Sequence, residues 1–195
     1  MYQTYFKRLF DILFSLIGII LLIIPSLVVA LLIKIDDRGP VLFFQKRSGL
    51  NRYPFRIWKF RTLPVGTNDS LPSRECPHDR FRMSSLQRFL RKSSIDELPQ
   101  LVNILKGDMS FVGPRPVICQ ERDLIDERDK YGANAVLPGL TGWAQINGRD
   151  NLDYETKARL DGEYIKRMSF LFDFKCIAIT VVRVICHEGF NDHVD

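Results

Sequence analysis

ILFSLIGIILLIIPSLVVALLI, residues 12–33, is a run of 22 residues without a charged side chain, interrupted in polarity only by Ser15, Gly18, Pro25 and Ser26. A continuous helix over it would be about 33 Å long, enough to cross a hydrocarbon core of roughly 30 Å. Three details complicate a simple span. Pro25 lies inside the run, lacks an N–H and clashes with the carbonyl four residues back, so it is expected to kink or break a helix there. Both flanks are basic, with Lys7 and Arg8 before the run and Lys34, Arg38, Lys46 and Arg47 after it, whereas a single span usually concentrates cations on one side. Nor does a cleaved signal peptide fit, since no small-residue cleavage site follows a short apolar core. On these grounds a bent, re-entrant segment and a plain span stand level, because proline is tolerated in spanning helices.

The rest of the chain is unlike the run. With 195 residues it has room for one domain with a real core. Lys plus Arg number 28 and Asp plus Glu 23, giving 28 − 23 = +5, with 46% of residues hydrophobic and 26% charged. That balance excludes a disordered chain, a collagen and a disulfide mini-protein. Cys76, Cys119, Cys176 and Cys186 form no C-x-x-C pair and His78, His187 and His193 are scattered, so neither zinc nor haem is indicated, and reduced thiols suit a cytoplasm-facing domain.

Outward from the run, residues 41–45 and 55–61 read as two short strands around Ser48-Gly49-Leu50-Asn51, and a loop covers 64–79. Residues 81–92 read as a helix, and Leu98, Leu101, Val102 and Leu105 give a second one an apolar face ending at Gly107. Gly113-Pro114-Arg115-Pro116 is a rigid turn, 117–129 a charged helix, 143–146 a short strand, 154–168 a helix. The last apolar helix, 170–186, carries Phe174, Ile177, Ala178, Val181, Val182 and Ile185 on one face, for a membrane surface or for a core.

Three groups could carry chemistry. In Ser94-Ile95-Asp96-Glu97-Leu98-Pro99-Gln100 two adjacent carboxylates open a helix. Proline belongs in a helix's first turn, which places the start near Asp96, whose carboxylate would stay ionised at the positive dipole end. Ser94 and Glu97 as a capping box, or Asp96 as a plain N-cap, explain the same residues without chemistry. In Phe55-Arg56-Ile57-Trp58-Lys59-Phe60-Arg61-Thr62, alternation sends Lys59 and Arg61 to one face about 7 Å apart, suited to a phosphate or to guarding a strand edge. Arg115, fixed between two prolines, suits bidentate phosphate binding or a helix-end clasp. Arg149, Asp150 and Asp161 add charges that are unspecific taken singly. No G-x-G-x-x-G, Walker A loop or G-x-S-x-G elbow is present.

Taken together, several blocks in order resemble a known family. They are Phe6-Lys7-Arg8-Leu9-Phe10-Asp11, Lys59-Phe60-Arg61-Thr62, Asp96-Glu97-Leu98-Pro99-Gln100, the stretch from Lys106-Gly107-Asp108 through Gly113-Pro114-Arg115-Pro116, and the stretch from Pro138-Gly139-Leu140-Thr141-Gly142-Trp143 to Asn147-Gly148-Arg149. The chain resembles, over nearly its whole length, the bacterial sugar transferases, monotopic polyprenyl-phosphate phosphoglycosyl transferases of the small kind found in the Campylobacter N-linked glycan pathway. The resemblance implies transfer of a sugar 1-phosphate from a UDP-sugar to undecaprenyl phosphate, with release of UMP and a need for Mg2+. It implies Asp96 as the nucleophile that forms a phosphosugar aspartyl intermediate, Glu97 as its partner, both near the metal, and Lys59, Arg61, Arg115 and Arg149 on the phosphates. Departures are Pro25-Ser26 where members carry Ser before Pro, and Leu63 where members carry Met after the basic strand. The loop 64–79, with Cys76-Pro77-His78, matches nothing in the pattern and is a candidate for sugar selection.

The expected architecture is therefore α+β. A re-entrant helix-break-helix over residues 1–36 would be inserted in the inner membrane through Lys7, Arg8, Pro25 and Ser26, and residues 37–195 would form a compact domain on the cytoplasmic face, with short strands and membrane-surface amphipathic helices. A phospholipid bilayer is an expected partner and nucleic acid is not, since anionic lipids account for the juxtamembrane cations. A homo-oligomer is left open, as is a catalytically silent membrane scaffold, which the intact Asp96-Glu97 pair argues against.

Overall fold

The computed structural model describes residues 2–63, 65, 83–148 and 151–186. After a π-helical turn at Tyr2–Phe6, helix α1 runs unbroken over Lys7–Asp36. Its 30 residues, about 45 Å of helix, are long and apolar enough to cross a membrane. Pro25 does not end it, which corrects the expected helix-break-helix. The physical reason lies in the inner stripe of buried and half-buried residues, Lys7, Arg8, Asp11, Ser15, Gly18, Ile19, Leu22, Ser26, Val29, Ala30 and Ile33, which keeps three- and four-residue spacing past the proline. Pro25 is exposed on the opposite side, so the hydrogen bond it forfeits does not touch the packed face.

That stripe docks on the remaining chain from end to end. Strands β1 (Leu42–Ser48) and β2 (Pro54–Phe60) form an antiparallel hairpin with Phe44 opposite Trp58 and Lys46 opposite Arg56. Helices α2 (Ser85–Lys92) and α3 (Gln100–Lys106) follow. Ile19 and Leu22 of α1 pack on Ile57, Leu101, Ile104 and Met109, while Val29, Ala30 and Ile33 pack with Phe60 and Leu90. Both ends of α1 are thus held by the same body of protein.

Strand β3 (Ser110–Val112) pairs in parallel with β4 (Gly139–Thr141), Ser110 opposite Gly139 and Val112 opposite Thr141. Helix α4 (Arg122–Asp129) is shorter than the expected 117–129. Val117 and Ile118 are drawn out to extend the hairpin, with Ser48 N–H donating to the Val117 carbonyl at 2.8 Å and Arg47 bridged to Ile118. Residues Trp143–Ile146 form a short helix, α5, and not the expected strand. The extended segment lies just ahead of it, where Gly139-Leu140-Thr141 finds a backbone partner in β3.

Helices α6 (Tyr154–Arg167) and α7 (Phe170–Ile185) complete the chain, capped by Asp153 and Ser169. Phe172 and Cys176 of α7 join Tyr164, Val112 and Ile146 in a core. Phe174, Ile177, Ala178, Val181 and Val182 face outward, which decides the sequence alternatives against a core for that face. The Phe10 and Phe170 rings lie 5.0 Å apart and make the outer surfaces of α1 and α7 continuous.

The basic residues before the apolar run also differ from expectation. Lys7 is buried, its ammonium 2.5 Å from Asp173, which also accepts from the Tyr164 hydroxyl at 2.8 Å and from Tyr2 at 2.7 Å. Arg8 donates to the carbonyls of Ile104 and Leu105 at the C-terminal end of α3, at 2.6 and 2.8 Å. Both cations hold α1 to the protein, a use that a count of flanking charges does not register.

Candidate active site

The dyad owes its position to a break between helices. Helix α2 starts at a capping box made by Ser84 and Gln87, and Ser94, in the left-handed region with φ 55°, then turns the chain. Ile95–Glu97 form one 3-10 turn and Pro99 precedes α3, so Asp96 lies a turn ahead of the helix and not in its first turn. No capping box forms between Ser94 and Glu97, and no backbone N–H donates to Asp96. Helix capping therefore does not explain these carboxylates.

Asn103 then fixes α3 to the hairpin. Fully buried, it accepts from Trp58 N–H at 2.9 Å and donates to the Arg56 carbonyl at 2.7 Å. A buried side chain with both amide groups satisfied specifies one register. The register brings the Lys59 ammonium to 2.7 Å from Glu97 Oε1.

Arg115 approaches the same oxygen from the other side, at 3.7 Å. Its loop is held through its backbone: Gly113 N–H donates to the Thr141 carbonyl and Gly139 N–H to the Pro114 carbonyl, both at 2.9 Å. The approach needs glycine, since a Cβ on Gly142 would lie 2.1 Å from the Gly113 carbonyl oxygen. Behind the loop, Arg128 donates to the Arg115 carbonyl at 2.9 Å and is itself paired with the fully buried Asp161 at 2.7 Å. Asp161 thus supports the Arg115 loop from a distance and lies outside the dyad.

Asp96 is 8% exposed. Burial pushes its carboxyl up to about 6, with the Glu97 charge adding to the rise and Lys59, Arg91 and Arg115 opposing it. No described residue makes a hydrogen bond or ion pair to it. A carboxylate that is mostly ionised at neutral pH, lacks a covering partner and faces cations is equipped to attack an electrophile bearing negative oxygens.

Of the residues expected at the site, the structure brings together Asp96, Glu97, Lys59 and Arg115. Arg61 goes elsewhere. It is 6% exposed, donates to the Asp37 carbonyl at 2.9 Å and forms an ion pair with the Asp37 carboxylate at 3.1 Å, tying the end of β2 to the end of α1. Arg149, Asp150 and the Cys76-Pro77-His78 segment lie outside the described residues. Arg91 was missed by sequence reasoning. It reaches the dyad from the last turn of α2, with its Nε donating to Thr62 at 3.1 Å, and only the α2 turn, invisible in a linear motif, brings it there.

Comparison with known proteins identifies the family. A model of the bacterial sugar transferase family matches residues 2–187. The chain is 39% identical over 183 residues to the sugar transferase EpsL of Bacillus subtilis (strain 168), covering 94% of this chain and 89% of that one. It is 43% identical over 191 residues to an undecaprenyl-phosphate glucose phosphotransferase of Komagataeibacter xylinus, covering 92% of this chain and 36% of that one. It is 41% identical over 187 residues to a UDP-glucose:undecaprenyl-phosphate glucose-1-phosphate transferase of Escherichia coli (strain K12), covering 91% and 39%. The chain therefore spans well under half the length of the last two.

If Asp96 is the attacking group, only its ionised form reacts. Its raised pKa means that protonation sets in as pH falls through about 6, so the rate of the donor half-reaction should fall about tenfold per pH unit below that point. Single-turnover rates between pH 5 and 8, with circular dichroism to confirm an intact fold, check this. A profile flat down to about pH 4, the range of an ordinary aspartate, would count against it.

Proposed function

The chain belongs to the bacterial sugar transferase family, and from that premise we propose that it moves a sugar 1-phosphate from a UDP-sugar to undecaprenyl phosphate, releasing UMP, at the start of a bacterial exopolysaccharide or other surface-glycan pathway. The observation that carries the reading is Asp96: a buried carboxylate without a hydrogen-bond or ion-pair partner among the described residues, beside Glu97 and under the influence of Lys59, Arg91 and Arg115.

In the first step an Asp96 oxygen bonds to the phosphorus that bears the sugar. The bond from that phosphorus to the bridging oxygen breaks and its electron pair leaves with UMP. In the second step an oxygen of undecaprenyl phosphate attacks the same phosphorus, and the acyl phosphate bond breaks to restore the Asp96 carboxylate. Two displacements at one atom suit a water-soluble donor and a lipid acceptor, which can then use the site in turn. Lys59 and Arg115, with Arg149 from the family pattern, neutralise phosphate oxygens that would otherwise repel the nucleophile.

Mg2+ is the expected cofactor. Among the described residues no cluster of three or more carboxylate, histidine or cysteine side chains exists to cage a metal. Two adjacent carboxylates do fit magnesium, which commonly takes one or two of them and fills its shell with water and substrate phosphate oxygens. Held by Asp96 and Glu97, the ion would offset charge on the transferring phosphate.

Membrane attachment follows from α1 and α7. Because α1 is bound by the same protein body at Lys7 and at Ile33, a crossing would carry ionised groups into the bilayer, at a cost of several kcal/mol or more. A one-sided arrangement, with α1 entering from the cytoplasmic face of the inner membrane and the outer surface of α7 on the lipid, avoids that cost.

UMP release from a panel of UDP-hexoses and UDP-N-acetylhexosamines, with Mg2+ and with or without undecaprenyl phosphate, tests the reaction. Sustained turnover on one donor that requires the acceptor is expected. Silence across the panel from folded protein in lipid nanodiscs would favour a membrane scaffold. For the topology, a cysteine introduced at residue 3 should resist an impermeant thiol reagent applied to intact cells and react after lysis. Labelling from outside would establish a span.

A further inference from the structure

Arg47 lies on β1 beside the Arg115 loop, and its surroundings do not balance its charge. Its Nε is sealed from solvent without a hydrogen-bond partner. Among the described residues the guanidinium makes one hydrogen bond, from an Nη to the Pro116 carbonyl at a long 3.4 Å. No ion pair is made to it among the described residues. The nearest candidate, Glu121, turns its Oε2 to the Ile118 N–H at 3.1 Å. Guanidinium groups removed from water are ordinarily paired, so a buried N–H with nothing to bond marks a place where an acceptor is missing.

The backbone leaves little room for Arg47 to escape. Its residue is bridged to Ile118, and the neighbouring Ser48 N–H bonds the Val117 carbonyl at 2.8 Å. The strand bearing Arg47 is thereby stitched to the segment that follows Arg115. Two arginines are held near each other although their charges repel. Burial, together with the Arg115 charge, pulls the Arg47 guanidinium down to about 10. An anion between them would relieve both the repulsion and the orphaned donor.

Resting on the transferase reading, we propose that Arg47 is a further phosphate-binding residue of this site and that, with Arg115, it holds the nucleotide-side phosphate of the donor. Arg115 acts on both Asp96 and Arg47, and Glu97 also bears on Arg47, so Arg47 belongs to the same site, behind the cations that act most strongly on the nucleophile. A diphosphate laid with its sugar-bearing phosphorus at Asp96 would turn its other phosphate towards Arg115 and Arg47. When the bridging P–O bond breaks, its electron pair goes to the oxygen that stays on the departing nucleoside monophosphate, and the new charge develops where Arg47 can meet it. In the sequence Arg47 counts only among the cations that follow the apolar run.

Arg47→Gln and Arg47→Lys test the assignment in nanodiscs. UMP and uridine binding are measured by titration calorimetry, and formation and discharge of the phosphosugar adduct are followed separately by intact mass. Arg47→Gln should weaken UMP at least tenfold, leave uridine affinity unchanged, slow adduct formation at least tenfold and leave discharge to undecaprenyl phosphate unchanged. Arg47→Lys should recover part of the UMP affinity. Equal loss of UMP and uridine would show a structural role and overturn the proposal, as would slowed discharge with normal adduct formation, which would put the acceptor phosphate there. UMP binding undiminished in Arg47→Gln overturns the proposal alone, whereas a wild-type protein that neither binds UMP nor forms an adduct overturns the transferase reading with it.

Discussion

A 30-residue apolar helix can lie along a domain built of ionised side chains only if the charged groups on its contact face find partners there, and Lys7, Arg8 and Asp11 each do. Lys7 meets Asp173, Arg8 meets the last carbonyls of α3, and Asp11 accepts from the Phe111 N–H at 3.0 Å and the Ser110 hydroxyl at 3.1 Å. Losing one member of such a buried pair typically costs about 3–5 kcal/mol, a large part of a domain's net stability. These contacts make α1 part of the same body as the candidate site. Because α3 is held at one end by Arg8 and preceded at the other by Asp96 and Glu97, α1 and the Asp96-Glu97 pair are separated by little more than one short helix.

The dyad itself is a balance of opposing effects. Burial and the adjacent Glu97 raise the energy of the Asp96 anion, and Lys59, Arg91 and Arg115 lower it, with the net result near 6. A carboxylate left at its ordinary value would be a weaker nucleophile, and one raised above 7 would be protonated under working conditions. Much of the buried polar structure around the site serves to keep those cations in place. Asn103 sets the register of Lys59, and Asp161 acts through Arg128 on the Arg115 backbone. Substitution of Asp161 therefore bears on the position of Arg115 without touching it directly.

Much of the fold was legible in the sequence wherever one local pattern dominated. The hairpin, α3 with its terminal Gly107, α6 and α7 follow from alternation and from three- and four-residue spacing. The errors share a cause. Val117 and Ile118 left their helix, and Gly139–Thr141 formed the strand assigned to 143–146, because each found a backbone partner far away in the chain, which no local window contains. Pro25 does not break α1 for a similar reason, since the packed stripe on the opposite face holds the helix together. At the site, Asp96, Glu97, Lys59 and Arg115 stood out as residue types in motif blocks. Arg91 and the diversion of Arg61 to Asp37 became visible only in three dimensions.

The central claim is that one carboxylate oxygen, at Asp96, carries the sugar phosphate between two substrates that never meet. The most direct measurement is to supply donor without acceptor, quench in acid, and map the added mass by peptide fragmentation. A hexose phosphate increment on Asp96, absent from Asp96→Asn and discharged on adding undecaprenyl phosphate, is the predicted result. The increment on Glu97, or steady transfer by wild-type protein without any adduct while Asp96→Asn retains its rate, would contradict it.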